Sequence, residues 1–330
     1  MRRSRAVLRE RLPGYIGQAL LLGVVAWLVH AGLANFIASL QRLHIASGFR
    51  FLGVQAGFQI GQTLIEFAPG STYGRAVVVA TLNTLLVVVL AGMLSTVIAL
   101  LVAFGRLTDQ PLLRGLCSAY VEVFRNIPLL LQIFFWYFSA VALRPAVADS
   151  LQFGDILLNN RGLFLPRLEW GAGGLAWDRP AAEGLNVSGG FTLLPELLAL
   201  TLGLAIYNAA FLAEIFRAGI RSVPRGQSEA AASIGLTGVR AACLVVLPQA
   251  LRLALPPAAG QYQTLAKASS LAAAIGYPDL MQVVGGTILS QTSQALEAMT
   301  LVVLIYAAIN LTIALAMNLA NRRLLRHQER

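Results

Sequence analysis

Six long apolar stretches alternate along the chain with shorter stretches that carry most of its polar and charged residues. Each apolar stretch is about 20 residues or longer, which is the length that a helix needs to cross a bilayer. The pattern predicts helices at 16–38, 77–104, 120–143, 192–216, 249–277 and 298–320. Because 57% of the residues are hydrophobic and only 12% are charged, we expect an all-α polytopic membrane protein.

Arginine residues are concentrated on one side of this predicted bundle. Six crossings place both termini and two connecting loops on the same side, and these four segments hold most of the basic residues. The positive-inside rule therefore predicts that the basic segment 1–15 and the basic tail 321–330 are both cytoplasmic. The net charge of +10 is then explained by contact with the anionic lipid bilayer. No nucleic acid is expected as a partner, because no basic stripe with interleaved aromatic residues occurs.

Two long loops, 39–76 and 144–190, fall on the opposite side of the predicted bundle and show no clear amphipathic period. We expect both to form external caps. The second loop contains the run Leu163–Pro166 and two tryptophans, a combination that favours a short interfacial helix. One or two further crossings within this loop, up to eight in total, are an alternative.

The residues that nucleotide, metal and acid-base chemistry require are scarce. The single lysine, Lys267, lies between two alanines, so the chain has no Gly-Lys-Ser/Thr loop for nucleotide phosphates. The three histidines, His30, His44 and His327, are dispersed and are not accompanied by paired acids or cysteines at ligand spacing. We therefore predict that this chain is not an enzyme and binds neither a metal nor a cofactor, so that an ATPase, if one is used, is a separate protein.

The segment between the fourth and fifth apolar stretches has an unusual spacing. Good helix formers are followed by a glycine that is suited to end a helix, and a Leu-Pro pair then begins the next helix. The residues that define the spacing are Glu229, Ala230, Ala231, Gly235, Val245, Leu247 and Pro248. Alanine-rich turns that end in glycine are common, but this full spacing is not. It predicts a short helix, a sharp stop and a second helix.

Several polar residues interrupt the apolar stretches and are candidates for a translocation path or for contacts between helices. They are Asn83, Thr84, Gln132, Glu214, Lys267, Ser269 and Ser270. For Lys267 and the two serines, a polar path or cross-helix contacts compete with a lysine that extends to the inner headgroups. Glu214 is expected to pair with Arg217 at a helix end. The three uncharged side chains earlier in the chain are expected to join helices, with cargo contact as the alternative.

The spacing around Glu229 resembles the cytoplasmic signature loop of permease subunits of ATP-binding-cassette importers. Further segments resemble the polar amino-acid branch of these permeases, and several match the larger permease of general L-amino-acid importers. These segments are Ser71–Ala76, Leu82–Leu86, Tyr120–Gln132, Ala213–Ile220, Val223–Gln227, Pro248–Arg252 and Ala274–Leu280. Two departures are Val245, where the family usually has isoleucine, and Ala268, where the family usually has a polar residue after its lysine.

The resemblance implies a type I importer core over 77–320, with the helix 16–38 added in front of it. The loop 144–190 would be periplasmic, and the segment 217–248 would be the loop that couples to the ATPase. The implied complex lies in the bacterial inner membrane. It contains a second homologous permease, two ATPase subunits that bind ATP and Mg²⁺, and a periplasmic binding protein that delivers an L-amino acid.

Two other functions compete with this one. A secondary carrier or channel that works alone would show inverted repeats and several buried charges for ion coupling, and neither is evident. A membrane-embedded enzyme would require a cluster of nucleophile, base and metal ligands. The segment around Glu229 distinguishes the hypotheses, because a carrier that works alone has no use for an exposed helix that ends at a glycine.

Overall fold

The computed structural model describes residues 2–42, 48–142, 145–171, 174–184 and 186–326. They form two units, which meet in sequence between Phe49 and Arg50. The helix α1, Arg2–Arg42, makes up most of the first unit, and its apolar stretch Gly14–Gly32 is exposed. The helix predicted at 16–38 is therefore longer than expected and includes the basic segment 1–15 from Arg2 onward.

The second unit contains the other helices. Their bounds are α2 Tyr73–Leu107, α3 Pro111–Asn126, α4 Leu129–Ala142, α5 Pro195–Arg221, α6 Arg225–Ser233, α7 Gly238–Ala241, α8 Leu247–Ala268, α9 Leu289–Thr292 and α10 Ala295–Arg326. Within the described residues, five helical segments are long and apolar enough to cross a membrane: Gly14–Gly32, Tyr73–Leu107, Pro195–Arg221, Gly238–Ile275 and Ala295–Arg323. The shorter helix α4 is also apolar. The prediction of a helical polytopic membrane protein is confirmed.

Helix α5 is the central helix of the bundle. It packs against α2, α3, α4 and α8, and its apolar window is the most buried among the candidate spans. Two glycines allow these close contacts. A Cβ atom on Gly203 would lie 3.2 Å from the Ile133 Cα atom of α4, and one on Gly219 would lie 2.9 Å from the Ala250 carbonyl oxygen of α8. Helix packing in a membrane favours such small residues, because they let backbones approach.

The helix predicted at 120–143 is interrupted. Helix α3 ends at Asn126 and α4 begins at Leu129, because Pro128 disfavours a helical conformation at the residue before it and has no N–H group to donate. The Gln132 side chain crosses the break, and its Nε2 atom donates to the carbonyl oxygens of Phe124 (2.9 Å) and Ile127 (3.0 Å). Gln132 thus satisfies carbonyls at the end of α3.

The helix predicted at 249–277 also ends early. Helix α8 is followed by a 3₁₀ segment, Ser269–Ile275, and Gly276 then adopts a left-handed conformation with φ of +77°. The hydroxyls of Ser269 and Ser270 each donate to the carbonyl oxygen three residues earlier, at 2.8 Å. Such local hydrogen bonds compete with the regular helical pattern. A π-helical segment, Met281–Ile288, leads to α9.

The loop 144–190 and the few residues that follow it contain strands, so the helix predicted at 192–216 begins three residues later, at Pro195. The interfacial helix expected at Leu163–Pro166 is not formed. The strands are β1 Leu151–Phe153, β2 Ile156–Asn159, β3 Gly162–Leu165, β4 Arg167–Gly171, β5 Gly174–Asp178, β6 Ala181–Glu183, β7 Asn186–Ser188 and β8 Phe191–Leu193. They form an antiparallel sheet in the order β1-β2-β3-β8 and two hairpins, β4-β5 and β6-β7. The apolar run is too short for a helix, and burial alternates along β3 as expected for a strand. Within its described residues, the loop has no helix long enough for a further crossing.

Residues 50–72, which we call the strap, cover one end of the bundle. Phe51, Phe58 and Phe67 form an aromatic cluster with Tyr73, at the start of α2. This cluster packs against the Met281–Ile288 segment and α10. Helix α6 follows the far end of α5, whose 27 residues span about 40 Å. We refer to the two ends of the bundle as the strap end and the α6 end.

Candidate functional site: the α6 end and the polar interior

Helix α6 ends at the predicted position. Gly235 adopts a left-handed conformation with φ of +84°. Its N–H donates to the Ala232 carbonyl, and the Leu236 N–H donates to the Ala231 carbonyl, both at 3.0 Å. These two bonds form a Schellman motif, in which a residue without a Cβ atom reverses the chain direction. The predicted helix and sharp stop are confirmed.

The short helix presents an exposed face with apolar residues beside it. Glu229 and Ala230 are exposed, whereas Ala231 is buried beneath them. Beyond the stop, Ile234 and Val239 are 76% and 78% exposed. Large apolar side chains that cluster on an exposed surface are typical of a site that binds another protein.

The second half of the motif connects α6 to the bundle. Val245 lies in a π-helical segment, Ala242–Val246, and α8 begins at Leu247 with Pro248 in its first turn, as predicted. The side chains of Gln249 and Gln227 are joined by a hydrogen bond of 3.2 Å. This bond ties α6 to the first turn of α8.

A cluster of charged residues holds helices together near the α6 end. The Glu214 carboxylate accepts hydrogen bonds from Arg217, as predicted, and also from Arg106 of α2. Arg106 also donates through Nε to the Ser118 hydroxyl of α3, at 3.3 Å. The sequence analysis did not identify Arg106, because a pairing between residues 108 positions apart leaves no local pattern. The cluster links the helix that precedes α6 to two neighbouring helices.

Asn83 and Thr84 bind to the backbone at the strap end. The Asn83 Nδ2 atom donates to the carbonyls of Gln62 (2.7 Å) and Pro278 (2.9 Å). The Thr84 hydroxyl accepts from the Leu280 N–H at 3.0 Å. Both side chains are fully buried, so their contacts favour the role of joining segments over contact with cargo.

Lys267 lies in the last turn of α8, a helix of 22 residues that begins at the α6 end. At about 1.5 Å per residue, Lys267 is roughly 30 Å from that end. Its side chain is exposed, whereas Ser269 is buried and Ser270 is half-buried. If the α6 end is the inner side, as predicted, Lys267 does not reach the inner headgroups. With that orientation, the position of Lys267 favours the other hypothesis, a polar path or contacts between helices.

A polar network in the middle of the spans was missed by the sequence analysis. The buried Asn208 of α5 donates to the Ser95 hydroxyl of α2 and accepts from the Gln261 Nε2 atom of α8, both at 2.9 Å. The hydroxyls of Thr96 and Tyr262 lie 2.6 Å apart beside it. The only sign of this network in the sequence was the amide of Asn208 within an apolar stretch. Its partners could not be predicted, because they come from two other helices.

The chain matches a known family over much of its length. Residues 93–326 match the family described as "Binding-protein-dependent transport system inner membrane component". The chain belongs to this family. It is therefore a multi-pass inner-membrane permease subunit of a binding-protein-dependent transport system, as predicted.

Several curated relatives of this permease resemble it over most of its length. The putative amino-acid ABC transporter permease protein YhdX of Escherichia coli is 41% identical, over 92% of this chain and 91% of the relative. The general L-amino acid transport system permease protein AapQ of Rhizobium johnstonii is 39% identical, over 92% and 89%. The glutamate/glutamine/aspartate/asparagine transport system permease protein BztB of Rhodobacter capsulatus is 33% identical, over 92% and 90%.

Solved structures share the fold of this permease. An amino acid ABC transporter with histidines matches with a TM-score of 0.56 and 26% identity, over 76% of this chain and 95% of that chain. An inward-facing MetNI methionine ABC transporter, 20% identical over 76% and 97%, has a TM-score of 0.52. The predicted type I importer fold is confirmed. The family and these relatives favour an importer subunit over a carrier that works alone.

The side chains that commonly bind metals are dispersed in the described part of this permease. That part holds no group of three His, Cys, Asp or Glu residues able to bind a metal ion. His30 is exposed, and His44 and His327 lie outside the described residues.

Proposed function

We propose that this chain is the larger of two homologous permeases in an ATP-driven importer of polar L-amino acids, which cooperates with two ATPase subunits and a periplasmic binding protein. The names of the relatives described above support the class of cargo. The exposed helix α6 and its glycine stop carry the proposal, because they form a projection with a defined end that a partner protein can bind.

The ATPase is expected at the α6 end, which would face the cytoplasm. Arginines are frequent there, as the positive-inside rule requires. They include Arg106, Arg114, Arg221, Arg225, Arg240 and Arg252. ATP and Mg²⁺ would be bound by the partner, because this chain's only lysine is not in a phosphate-binding loop. Closure of the ATPases would move α6, and α5 and α8 would transmit that movement as rigid bodies.

The binding protein is expected at the strap end, which would face the periplasm. Between the two ends, the network of Ser95, Asn208 and Gln261 supplies polar groups beside which a polar solute can cross the apolar interior. Asn208 and Ser95 are buried and hold the network, whereas Gln261 is half-buried and can exchange partners. We therefore assign Gln261 to the cargo path.

Co-purification tests the proposed assembly. The tagged protein is purified in mild detergent, the co-purifying chains are identified, and ATP hydrolysis is measured with and without loaded binding protein. We expect a second permease, an ATPase, and hydrolysis that rises when the binding protein is added. Glu229→Lys reverses the charge on the exposed face of α6 and should release the ATPase while the protein stays in the membrane. A lone subunit in several mild detergents would instead support a carrier that works alone.

A pair of matched variants tests the cargo path. Gln261→Leu removes the half-buried amide and should reduce amino-acid uptake about tenfold, while the ATPase still co-purifies. Gln263→Leu, two residues along α8, removes an amide that donates to the Asn310 carbonyl at 3.3 Å and should have a smaller effect on uptake. Equal effects of the two substitutions would argue against a specific role for Gln261.

A further inference from the structure

A cavity of about 330 Å³ opens at the strap end of the bundle. Its walls come from three segments: the strap, the first turn of α5, and the stretch after α8. The residues that line it include Gln59, Glu196, Pro278, Gln282 and Thr287. The strap lies outside residues 93–326, which match the family. One wall of the cavity is therefore built by a part of the chain that lies outside the matched region.

Glu196 is the only charged residue among the described residues that line this cavity. Its side chain is half-buried, and its Oε1 atom lies 3.5 Å from the Tyr137 hydroxyl. None of the ion pairs within the described part of the chain includes Glu196. The start of a helix favours a carboxylate at this position, but it does not explain a cavity whose other polar groups are amides and a hydroxyl.

These features suit a small molecule that carries a cationic group. A partly desolvated carboxylate gains most from a positive partner, and amide and hydroxyl groups can bind the uncharged or anionic remainder of such a molecule. The cavity volume of about 330 Å³ exceeds that of a free amino acid.

We propose that this cavity is an outer binding site for the delivered amino acid, in which Glu196 contacts a cationic group of the cargo and thereby favours cationic over anionic amino acids. This inference rests on the proposed function of the chain as an amino-acid importer. It adds a selective step at the strap end, before cargo reaches the network around Gln261.

The test measures the ratio of the uptake rates of two cargoes, so that differences in the amount of protein cancel. The complete importer is reconstituted in vesicles, and uptake of L-arginine and L-glutamate is measured with the same binding protein loaded with each in turn. Glu196→Gln keeps the size of the side chain but removes its charge. At a separation of about 5 Å in a water-like medium, removal of one unit charge weakens the binding of a cationic group by about fourfold. We expect the ratio of arginine to glutamate uptake to decrease by at least that factor, because the repulsion of the glutamate carboxylate is lost as well.

Two further variants make the outcome decisive. Gln59→Glu adds a carboxylate to the part of the cavity wall that the strap forms and should raise the arginine-to-glutamate ratio. Glu66→Gln removes an exposed carboxylate of the strap that does not line the cavity, and it should leave the ratio unchanged.

Three results would contradict the inference, and one would contradict the proposed function instead. An unchanged ratio in both cavity variants would exclude a cargo site. A change of equal size in Glu66→Gln would indicate a general effect of surface charge. If Glu196→Gln reduces binding-protein-stimulated ATP hydrolysis equally for both cargoes, the residue contacts the binding protein. The absence of uptake by the unmodified importer would instead overturn the proposed function.

Discussion

The two ends of the bundle are built in opposite ways. At the strap end, the side chain of Asn83 donates to two backbone carbonyls, and the Gln62 Oε1 atom accepts from the Leu194 N–H at 3.2 Å. These bonds join α2, the strap and the start of α5 within a buried core. At the other end, α6 is exposed, and a bond between two glutamines ties it to α8.

This difference suggests that the two ends have different functions. Few buried contacts and many exposed groups give a segment low local stability, whereas buried and fully bonded segments move as one block. We infer that α6 adjusts to a partner, while the strap end keeps its shape. Substitutions at the α6 end should therefore alter coupling more than stability, and substitutions at the strap end should do the reverse.

The largest expected effect is on coupling, from Gly235→Val. A β-branched residue strongly disfavours a φ of +84°, so the stop after α6 should change direction and misplace the exposed face. We expect uptake to fall at least tenfold at an unchanged amount of protein in the membrane. The control Gly226→Ala alters a glycine of the same helix that has open space around it and no positive φ. Normal uptake by Gly235→Val would show that α6 does not couple the permease to the ATPase.

The next effect tests stability at the strap end, through Asn83→Leu. This substitution leaves the carbonyls of Gln62 and Pro278 buried without their donor, at a cost of about 2–4 kcal/mol in the free energy of unfolding. Thermal unfolding in detergent measures the loss, and uptake per folded molecule should change little. Asn126→Ala, at an exposed residue that donates to its own helix, is the control. A large loss of uptake without a loss of stability would reverse the assignment of roles.

A smaller effect is expected from Glu214→Gln, which alters the charged cluster that joins α5 to α2 near the α6 end. The neutral amide cannot balance Arg106 and Arg217, and because these groups are only partly buried we expect a cost of about 1–2 kcal/mol. Uptake should fall by more than thermal stability predicts, because the cluster joins the helix before α6 to its neighbours. Glu122→Gln is the matched control, since Glu122 belongs to a similar Glu-x-Phe-Arg sequence but makes no ion pair within the described residues. Arg125 of that sequence instead lies 5.0 Å from the Phe211 ring centre.

The smallest effect concerns pH and involves Asp279, which lies between two candidate spans near the strap end. Burial raises the pKa of Asp279 to about 6, although the Tyr306 hydroxyl and the Gln282 N–H donate to its carboxylate. Because the folded-state pKa is above the unfolded value, the protonated form favours folding. The contribution of Asp279 to stability should therefore be fully present below about pH 4 and should be lost as the pH rises through about 6.

Thermal unfolding of the wild type and of Asp279→Asn, measured from pH 5 to pH 7, isolates this contribution. The wild type should lose about 1 kcal/mol more than the variant over that range. Identical pH profiles would show that Asp279 titrates at its ordinary value and that the core at the strap end is more hydrated than its burial indicates.

Much of the fold could be predicted from local patterns. Bilayer thickness sets the length of an apolar helix, so the apolar stretches located the spans. The bounds were less accurate: the helix predicted at 16–38 begins at Arg2, and the helix predicted at 249–277 ends at Ala268. The stop at Gly235 was predictable because only glycine adopts its conformation at low cost. The break at Ile127-Pro128 was also visible in the sequence, but the continuous apolar stretch around it outweighed the proline in the prediction.

The remaining features depend on residues that are distant in the sequence. The strands at 151–193 form because short alternating segments pair with one another, and such runs are ambiguous alone. Arg106 meets Glu214, Gln261 meets Asn208, and the strap meets Glu196 only after the helices pack.

The sequence by itself therefore determined a helical membrane protein and a short helix that stops at Gly235, because hydrophobic length and glycine stereochemistry act locally. Only the tertiary structure decided which polar groups satisfy one another and which of them, such as Glu196 in its cavity, form no ion pair with another described residue. Hydrogen bonds and ion pairs between helices depend on separations of a few ångströms, and those separations are set by the packing of the whole bundle.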